Sequence, residues 1–193
     1  MTSNLRDRRR QQTAQEIQLA ALRLSIRLGY AAVTTDSIAA EAGISPRTFF
    51  NYYANKQAAV VGVPPQLDTC AADWIVRSNG PLIDDLAQLL GCMLKQKDMD
   101  RQVVCMIEQI WDTTPELMAV FRNSMDNIAL TIAGLLHARL GPDRQAEAML
   151  IAELATHALS HAVRTWARDE SMTESDIPDM LRTQMRQVGA LLS

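Results

Sequence analysis

The chain has 193 residues, 48% of them hydrophobic, and a formal net charge of −3, enough apolar material for a substantial core in one domain or one domain plus a small appendage. No run approaches the roughly 18 uninterrupted apolar residues that a membrane span requires, and the arginines of MTSNLRDRRRQQTAQE precede no apolar core of a secretory signal, so a cytoplasmic address is expected. Charge is unevenly distributed: residues 1–61 hold eight Arg/Lys against four Asp/Glu, whereas residues 62–193 hold eleven against eighteen, which puts a basic head on an acidic body.

Apolar spacing is helical nearly everywhere. In TAQEIQLAALRLSIRL, residues 13–28, Ile17, Ala20, Ala21, Leu24 and Leu28 form one stripe, and Gly29 supplies the C-terminal stop. Thr34 or Thr35 caps a short second helix over about 36–42. Ser45 caps a third, with Pro46 at its first position, where a missing N–H costs nothing. A fourth runs from near Asn55 to Val61, and Gly62, Pro64 and Pro65 then break the pattern. This places a domain boundary there, with a head over 1–61 and a body over 62–193. Ahead of the first helix, Arg6, Arg8, Arg9 and Arg10 make a basic arm, read either as a solvated tail or as a contact to phosphates or a minor groove.

Body helices are expected near 66–78, 81–97, 101–112, 115–140, 143–169 and 175–192, with no alternating strand pattern, repeat or low-complexity segment. The fold class is therefore all-α, with about nine helices. Cys70, Cys92 and Cys105 show no CxxC spacing and sit in apolar company, so they read as buried thiols rather than a disulfide or metal site.

The chemistry concentrates in residues 35–52, TDSIAAEAGISPRTFFNY. Ala39 is small where two helices cross, Gly43 allows a tight corner, and Ile38, Ala42, Ile44 and Phe49 fill the wedge beneath, as a helix-turn-helix requires. The opposite face of the third helix is polar, with Ser45, Arg47, Thr48 and Asn51, and suits a major groove. Phe49, Phe50, Tyr52 and Tyr53 are four of nine aromatics in the chain. Phe49 and Tyr53 are read as anchors of the head, and Phe50 and Tyr52 as braces on a DNA backbone.

The stretch TTDSIAAEAGISPRTFFNYYANK, with LGYAAVTT before it, resembles the DNA-binding segment of the TetR family of transcriptional regulators over roughly residues 10–60. The body resembles that family only in layout. The resemblance implies that Thr35 caps the second helix and holds a phosphate, that Arg47, Thr48 and Asn51 face bases, and that Ser45 and Pro46 lie at the groove. It also implies that Tyr52 lies beside the backbone and that Lys56 binds a phosphate. Phe50 departs from the family's frequent tyrosine and lacks the hydroxyl for a phosphate bond, which leaves an apolar contact or packing.

For the body, the resemblance implies a cavity among the middle helices for a small effector. Large adaptable residues supply its expected lining: Trp74, Met93, Met106, Ile110, Trp111, Met118, Phe121 and Met125, with Trp166 nearby in kind. By their spacing alone these are core. Glu108, Asp112, Glu153, His157 and His161 are candidates to orient a polar group, or else surface residues. In the helix 143–169, Ala148, Ala152, Ala155, Leu159, Ala162 and Trp166 form one stripe, and Leu150, Leu154, His157 and His161 a second. Ile177, Leu181, Met185, Val188 and Leu192 stripe the last helix. The resemblance implies a four-helix dimer bundle, with Ala148, Ala152, Ala155, Leu159, Ala162, Leu181, Met185 and Val188 as its expected interface.

An enzyme is disfavoured: there is no Gly-rich phosphate loop, nucleophile elbow or His/Cys/acid cluster. His157 and His161 are four apart, but Ala158, Leu159 and Ser160 between them lack the glutamate of a metalloprotease helix. No catalytic residue, metal or cofactor is expected. The resulting expectation is a homodimeric repressor that binds a palindromic double-stranded DNA operator and is released by a small apolar effector. A small-molecule-binding helical protein, or an activator whose DNA binding requires its effector, is the alternative.

Overall fold

A computed structural model describes residues 3–63, 67–68, 72–95, 99–111 and 113–192. Cys70, Asp112 and the Pro64-Pro65 break lie outside the described residues. Those residues form ten α-helices and no strand: α1 Ser3–Leu28, α2 Thr35–Glu41, α3 Pro46–Phe50, α4 Lys56–Val61, α5 Trp74–Arg77, α6 Leu82–Lys95, α7 Arg101–Trp111, α8 Pro115–Leu140, α9 Gln145–Arg168 and α10 Ile177–Leu191. The helix expected over 66–78 is described only as α5. No described helix is long and apolar enough to cross a membrane.

The first helix starts well before residue 13, so the basic arm is helical from Ser3 onward. Arg6 to Gln12 contain no glycine, proline or β-branched residue, and a helix already nucleated by its packed portion propagates through such a run.

The chain divides into two compact units. One is Met1–Pro64 with Gln102–Arg122; the other is Pro65–Arg101 with Asn123–Ser193. In the first, α1 packs on α2 and α4, and α2 packs on α3. Its core gathers Ile17, Ile38, Phe49 and Val60, all at most 1% exposed, and also takes in Ile110 and Leu117. Val103, Met106, Ile107 and Trp111 pack against it. The α7 stripe thus finds its apolar partner in the core built from the N-terminal helices.

Where α4 ends, Gly62 adopts φ 77° and ψ −177°, a region essentially restricted to glycine. A Cβ there would lie 2.3 Å from Gln18 Nε2. That same amide donates a buried 3.2 Å hydrogen bond to the Val60 carbonyl, so α1 holds the last turn of α4 through a side chain that needs the vacant space.

In the second unit α9 packs on α10 and α10 on α6. Ala148, Ala152, Ala155 and Ala162 are fully buried, and Leu159, Leu181 and Met185 are at most 4% exposed. The stripe expected to meet a second copy is therefore inside the chain's own packing. Of that set, only Val188 keeps partial exposure. Small alanines let α9 approach its neighbours closely, which draws that face inward. Cys92 and Cys105 are exposed, not buried: each lies on the outer side of an amphipathic helix whose opposite face carries the core.

One ion pair is nearly sealed. Arg139 Nη1 lies 2.8 Å from Asp85 Oδ2, both side chains 11% exposed. The Ser78 hydroxyl donates to the same oxygen at 2.6 Å, and Arg139 Nη2 donates to the Gly80 carbonyl at 2.7 Å. Removing one partner of such a pair strands a desolvated charge. Arg139→Met should cost about 3 kcal/mol, a drop in Tm of roughly 6–12 °C for a chain of this size. Adding Asp85→Asn should recover part of that loss, because no bare charge then remains. Scanning calorimetry of the single and double variants checks both expectations, and equal Tm values for the two would refute the stranded-charge account.

Candidate nucleic-acid interface

The interface is built on α2, α3 and the turn between them. Thr34, not Thr35, caps α2: its hydroxyl accepts from Ser37 N, and Ser37 Oγ accepts in return from Thr34 N, a reciprocal capping box. Thr35 is the first helical residue, which removes the capping role expected of it. Gly43 turns the corner at φ 67°, a conformation that L side chains enter only at a cost. The Ile44 amide then donates back to the Ala39 carbonyl at 2.9 Å, which closes the turn.

Ser45 caps α3, accepting from Thr48 N at 3.0 Å, and its hydroxyl is also 2.8 Å from Thr48 Oγ1. Pro46 occupies the first turn. The helix has only five residues. Its inner side is Phe49, fully buried, with the Phe50 ring edge-on at 5.3 Å and Tyr53 tilted at 6.3 Å. Tyr53 is a second anchor: it is 4% exposed, and its hydroxyl donates to the Ala14 carbonyl at 3.0 Å. Burial pushes that hydroxyl up to about 12, so it remains a donor throughout the physiological range.

What α3 turns outward is the set Ser45, Pro46, Arg47, Phe50 and Asn51, all exposed, with Thr48 partly covered. Arg47 and Asn51 are four apart, one helical turn, on the outer side. Phe50 is 55% exposed, a large ring left in solvent beside a guanidinium and a carboxamide. Tyr52 follows at once, half-buried, with the Arg10 guanidinium 5.9 Å from its ring centroid. Among the described residues, no ion pair involves Arg47. A capped helix that holds an uncommitted guanidinium, a carboxamide and apolar edges can read bases from a major groove.

Lys56, expected to hold a phosphate, is engaged within the head. Its ammonium donates to the Tyr30 carbonyl at 3.0 Å and the Val33 carbonyl at 2.9 Å, with a longer contact to Ala31, and it lies 4.4 Å from the centroid of the Tyr30 ring. This lysine fastens the start of α4 to the segment that follows α1. Sequence spacing carries no sign of that joint; the Tyr30 ring near the end of α1 is the only hint.

The expected pocket residues are divided between the two units. Met106, Ile110, Trp111, Met118 and Phe121 belong to the first unit, and Trp74, Met93 and Met125 to the second. The Trp111 and Phe121 rings meet at a tilt of 46°, with centroids 4.3 Å apart. Trp111 Nε1 is buried with no acceptor among the described residues. In the second unit, a groove of about 280 Å³ runs between α9 and α10, lined by Leu154, His157, Ala158, His161, Gln184, Met185 and Val188. Gln184 Nε2 lies 2.9 Å from His161 Nδ1 at its edge.

Residues 17–60 match the family model of bacterial regulatory proteins, tetR family. An uncharacterized HTH-type transcriptional regulator, YvkB of Bacillus subtilis, is 29% identical over 92 residues, a match that spans 48% of this chain and about half (49%) of that protein. In three dimensions, the chain is similar to Thermus thermophilus FadR, a TetR-family transcriptional repressor solved with lauroyl-CoA. The TM-score is 0.52 and the identity 19%, over 90% of this chain and 91% of that one. It is equally similar to the fatty acid degradation regulator FadR from Bacillus halodurans, with TM-score 0.52 and 16% identity, over 87% of this chain and 97% of that one.

The Lys56 joint is testable without DNA. Lys56→Met removes charged hydrogen bonds to backbone carbonyls and should lower the unfolding free energy by about 2 kcal/mol, read as a lower urea midpoint at unchanged slope. An unchanged midpoint would mean that the ammonium contributes nothing to the head and is available to an outside phosphate.

Proposed function

We propose that this chain is a TetR-family transcriptional regulator, a reading that the match of its head supports, and that it acts as a homodimeric repressor that binds an inverted-repeat operator and is released by a small apolar effector. The observation that carries the DNA reading is the outer face of α3. Arg47, Asn51, Pro46 and Phe50 stand exposed on a helix capped by Ser45 and seated on the buried Phe49. In this reading Arg47 takes guanine O6 and N7 in a bidentate grip, Asn51 and Thr48 contact neighbouring bases, and Pro46 meets a thymine methyl. Phe50 and Tyr52 brace the backbone, and Thr35, one position inside the capped end of α2, donates to a phosphate.

The dimer face in this reading is the second α9 stripe. Leu150 is 64% and Leu154 37% exposed, and His157 and His161 continue the same side. The groove against Gln184 and Val188 leaves room for a partner's side chains. Apolar side chains in solvent on one ridge, beside a shallow groove, suit a two-fold interface in which each copy's ridge fills the other's groove. Such a dimer presents its two recognition helices about 34–36 Å apart, one DNA turn. The effector acts by binding better to a conformation whose recognition helices are mis-spaced. The Trp111 indole N–H beside Phe121, without an acceptor among the described residues, supports a ligand with an apolar body and one acceptor.

The experiment that tests the whole reading is selection of genomic fragments by the purified protein at about 0.15 M salt, an ionic strength that suppresses phosphate-only binding. Recovery of an inverted repeat supports it, and recovery of nothing above background with or without added acyl or drug-like ligands counts against it. Arg47→Ala should then relax base preference at one position of each half-site at a cost of about 1–3 kcal/mol, and an unchanged binding-site logo would remove Arg47 from base reading. Leu150→Glu with Leu154→Glu should yield a monomer by sedimentation, whereas a persisting dimer would place the interface elsewhere.

A further inference from the structure

We propose that the helical arm of α1 is a second DNA-contacting element, in which Arg6 and Arg10 hold duplex phosphates. The inference rests on the DNA reading above and adds to it a separate set of residues and a separate source of affinity.

The argument starts from helical phase. Arg10, Ala14, Ile17 and Ala21 are spaced four, three and four, and so share one face of α1. Ile17 and Ala21 are fully buried in the head core, and Ala14 packs against it. Arg6 is one turn further along that same face. The arm therefore continues the packed side of α1 past the end of the core, and the residues it carries there are cationic instead of apolar.

The side chain of Arg10 shows where this face leads. Its guanidinium lies 5.9 Å from the Tyr52 ring centroid, within the range of a cation–π contact. Tyr52 is the residue after Asn51, at the outer end of the recognition element. A guanidinium held there stands at the flank of the surface that faces DNA. Arg6 lies about 6 Å further along the axis, so the two extend the basic surface outward along one line.

The electrostatics agree. Arg6, Arg8, Arg9 and Arg10 are all exposed. Asp7 is the one acidic residue among the first fifteen, and no ion pair among the described residues engages any of the four arginines. Guanidinium groups without carboxylate partners among the described residues break no ion pair on meeting phosphate, and their planar fork matches its oxygens. The helix also fixes the target class. Side chains on an arm placed beside Tyr52, off the base-facing side of α3, meet the sugar-phosphate backbone, so they add affinity without sequence information.

Salt dependence reads this directly, because each neutralised phosphate releases counterions. A mixed-sequence, fluorescein-labelled duplex of about 30 base pairs is titrated with the full-length protein by anisotropy from about 50 to 200 mM NaCl. Arg6→Ala/Arg10→Ala should make the slope of log Kobs against log salt shallower by about 0.9 per arginine removed, while Arg6→Lys/Arg10→Lys keeps most of it. Far-UV circular dichroism establishes that each variant retains its helix. Arg77→Ala/Arg144→Ala removes two exposed charges from the other unit and should leave the slope unchanged. An unaltered slope in the Arg6/Arg10 alanine variant, with Arg47→Ala still weakening binding, overturns the arm and leaves the head reading intact. An equal loss in the Arg77/Arg144 variant also overturns it, since net charge alone would then explain the effect. A wild-type protein with no salt-dependent duplex binding overturns the arm and the head reading together.

Discussion

A helix of five residues has no stability of its own, since nucleation alone outweighs the few hydrogen bonds it makes. α3 exists because Phe49 is seated in the head core. Full burial of a phenylalanine is worth about 1.5–3 kcal/mol, concentrated here at one position of a very short element. Ser45 satisfies an open amide at one end of that element, and Phe50 and Tyr53 pack their rings against Phe49. Arg47 and Asn51 inherit their positions from this arrangement. The whole candidate interface is thus referred to one ring, and that ring is referred to α1 through the Tyr53 bond to Ala14.

Much of this was legible in the sequence because its signals are local. Gly29 and Gly43 take positive φ where a helix stop and a tight corner were expected. Ser45 and Pro46 sit at the start of α3 as read, and Phe49 and Tyr53 are the anchors. Other features depended on contacts that no spacing encodes. Thr34 and Thr35 are equally good caps by type; which one caps depends on Ser37 reaching back from three residues on. Lys56 looks like any exposed basic residue until the carbonyls of Tyr30 and Val33 are brought beneath it. That the apolar stripe of α7 would share a core with the N-terminal helices is equally a matter of tertiary pairing.

The two stripes of α9 are the most instructive case. Both have spacings of three and four, so periodicity cannot say which goes inward. The family resemblance implied that the alanine stripe meets another copy, where small residues permit close approach. The same smallness is what lets α9 close on its own neighbours, and Ala148, Ala152, Ala155 and Ala162 vanish from the surface. A usable signal was present in the company kept by the other stripe. His157 and His161 lie with Leu150 and Leu154, and polar rings that need solvent or a partner mark the outward side. The same reasoning applies to Cys92 and Cys105, whose apolar sequence neighbours belong to the opposite helix faces.

Gly62 has a consequence for how this sequence can change. Every single-nucleotide change in a glycine codon that alters the protein either stops translation or adds a Cβ. At position 62 that atom meets two separate obstacles, a torsion reserved for glycine and the amide of Gln18. A second mutation that shortens Gln18 would clear the space, yet it would leave the torsion strained and deprive the Val60 carbonyl of its donor. No one-step suppressor at the touching residue restores both, so positions 18 and 62 are bound to persist as a pair, and a lineage that loses either has to rebuild the end of α4 by other means.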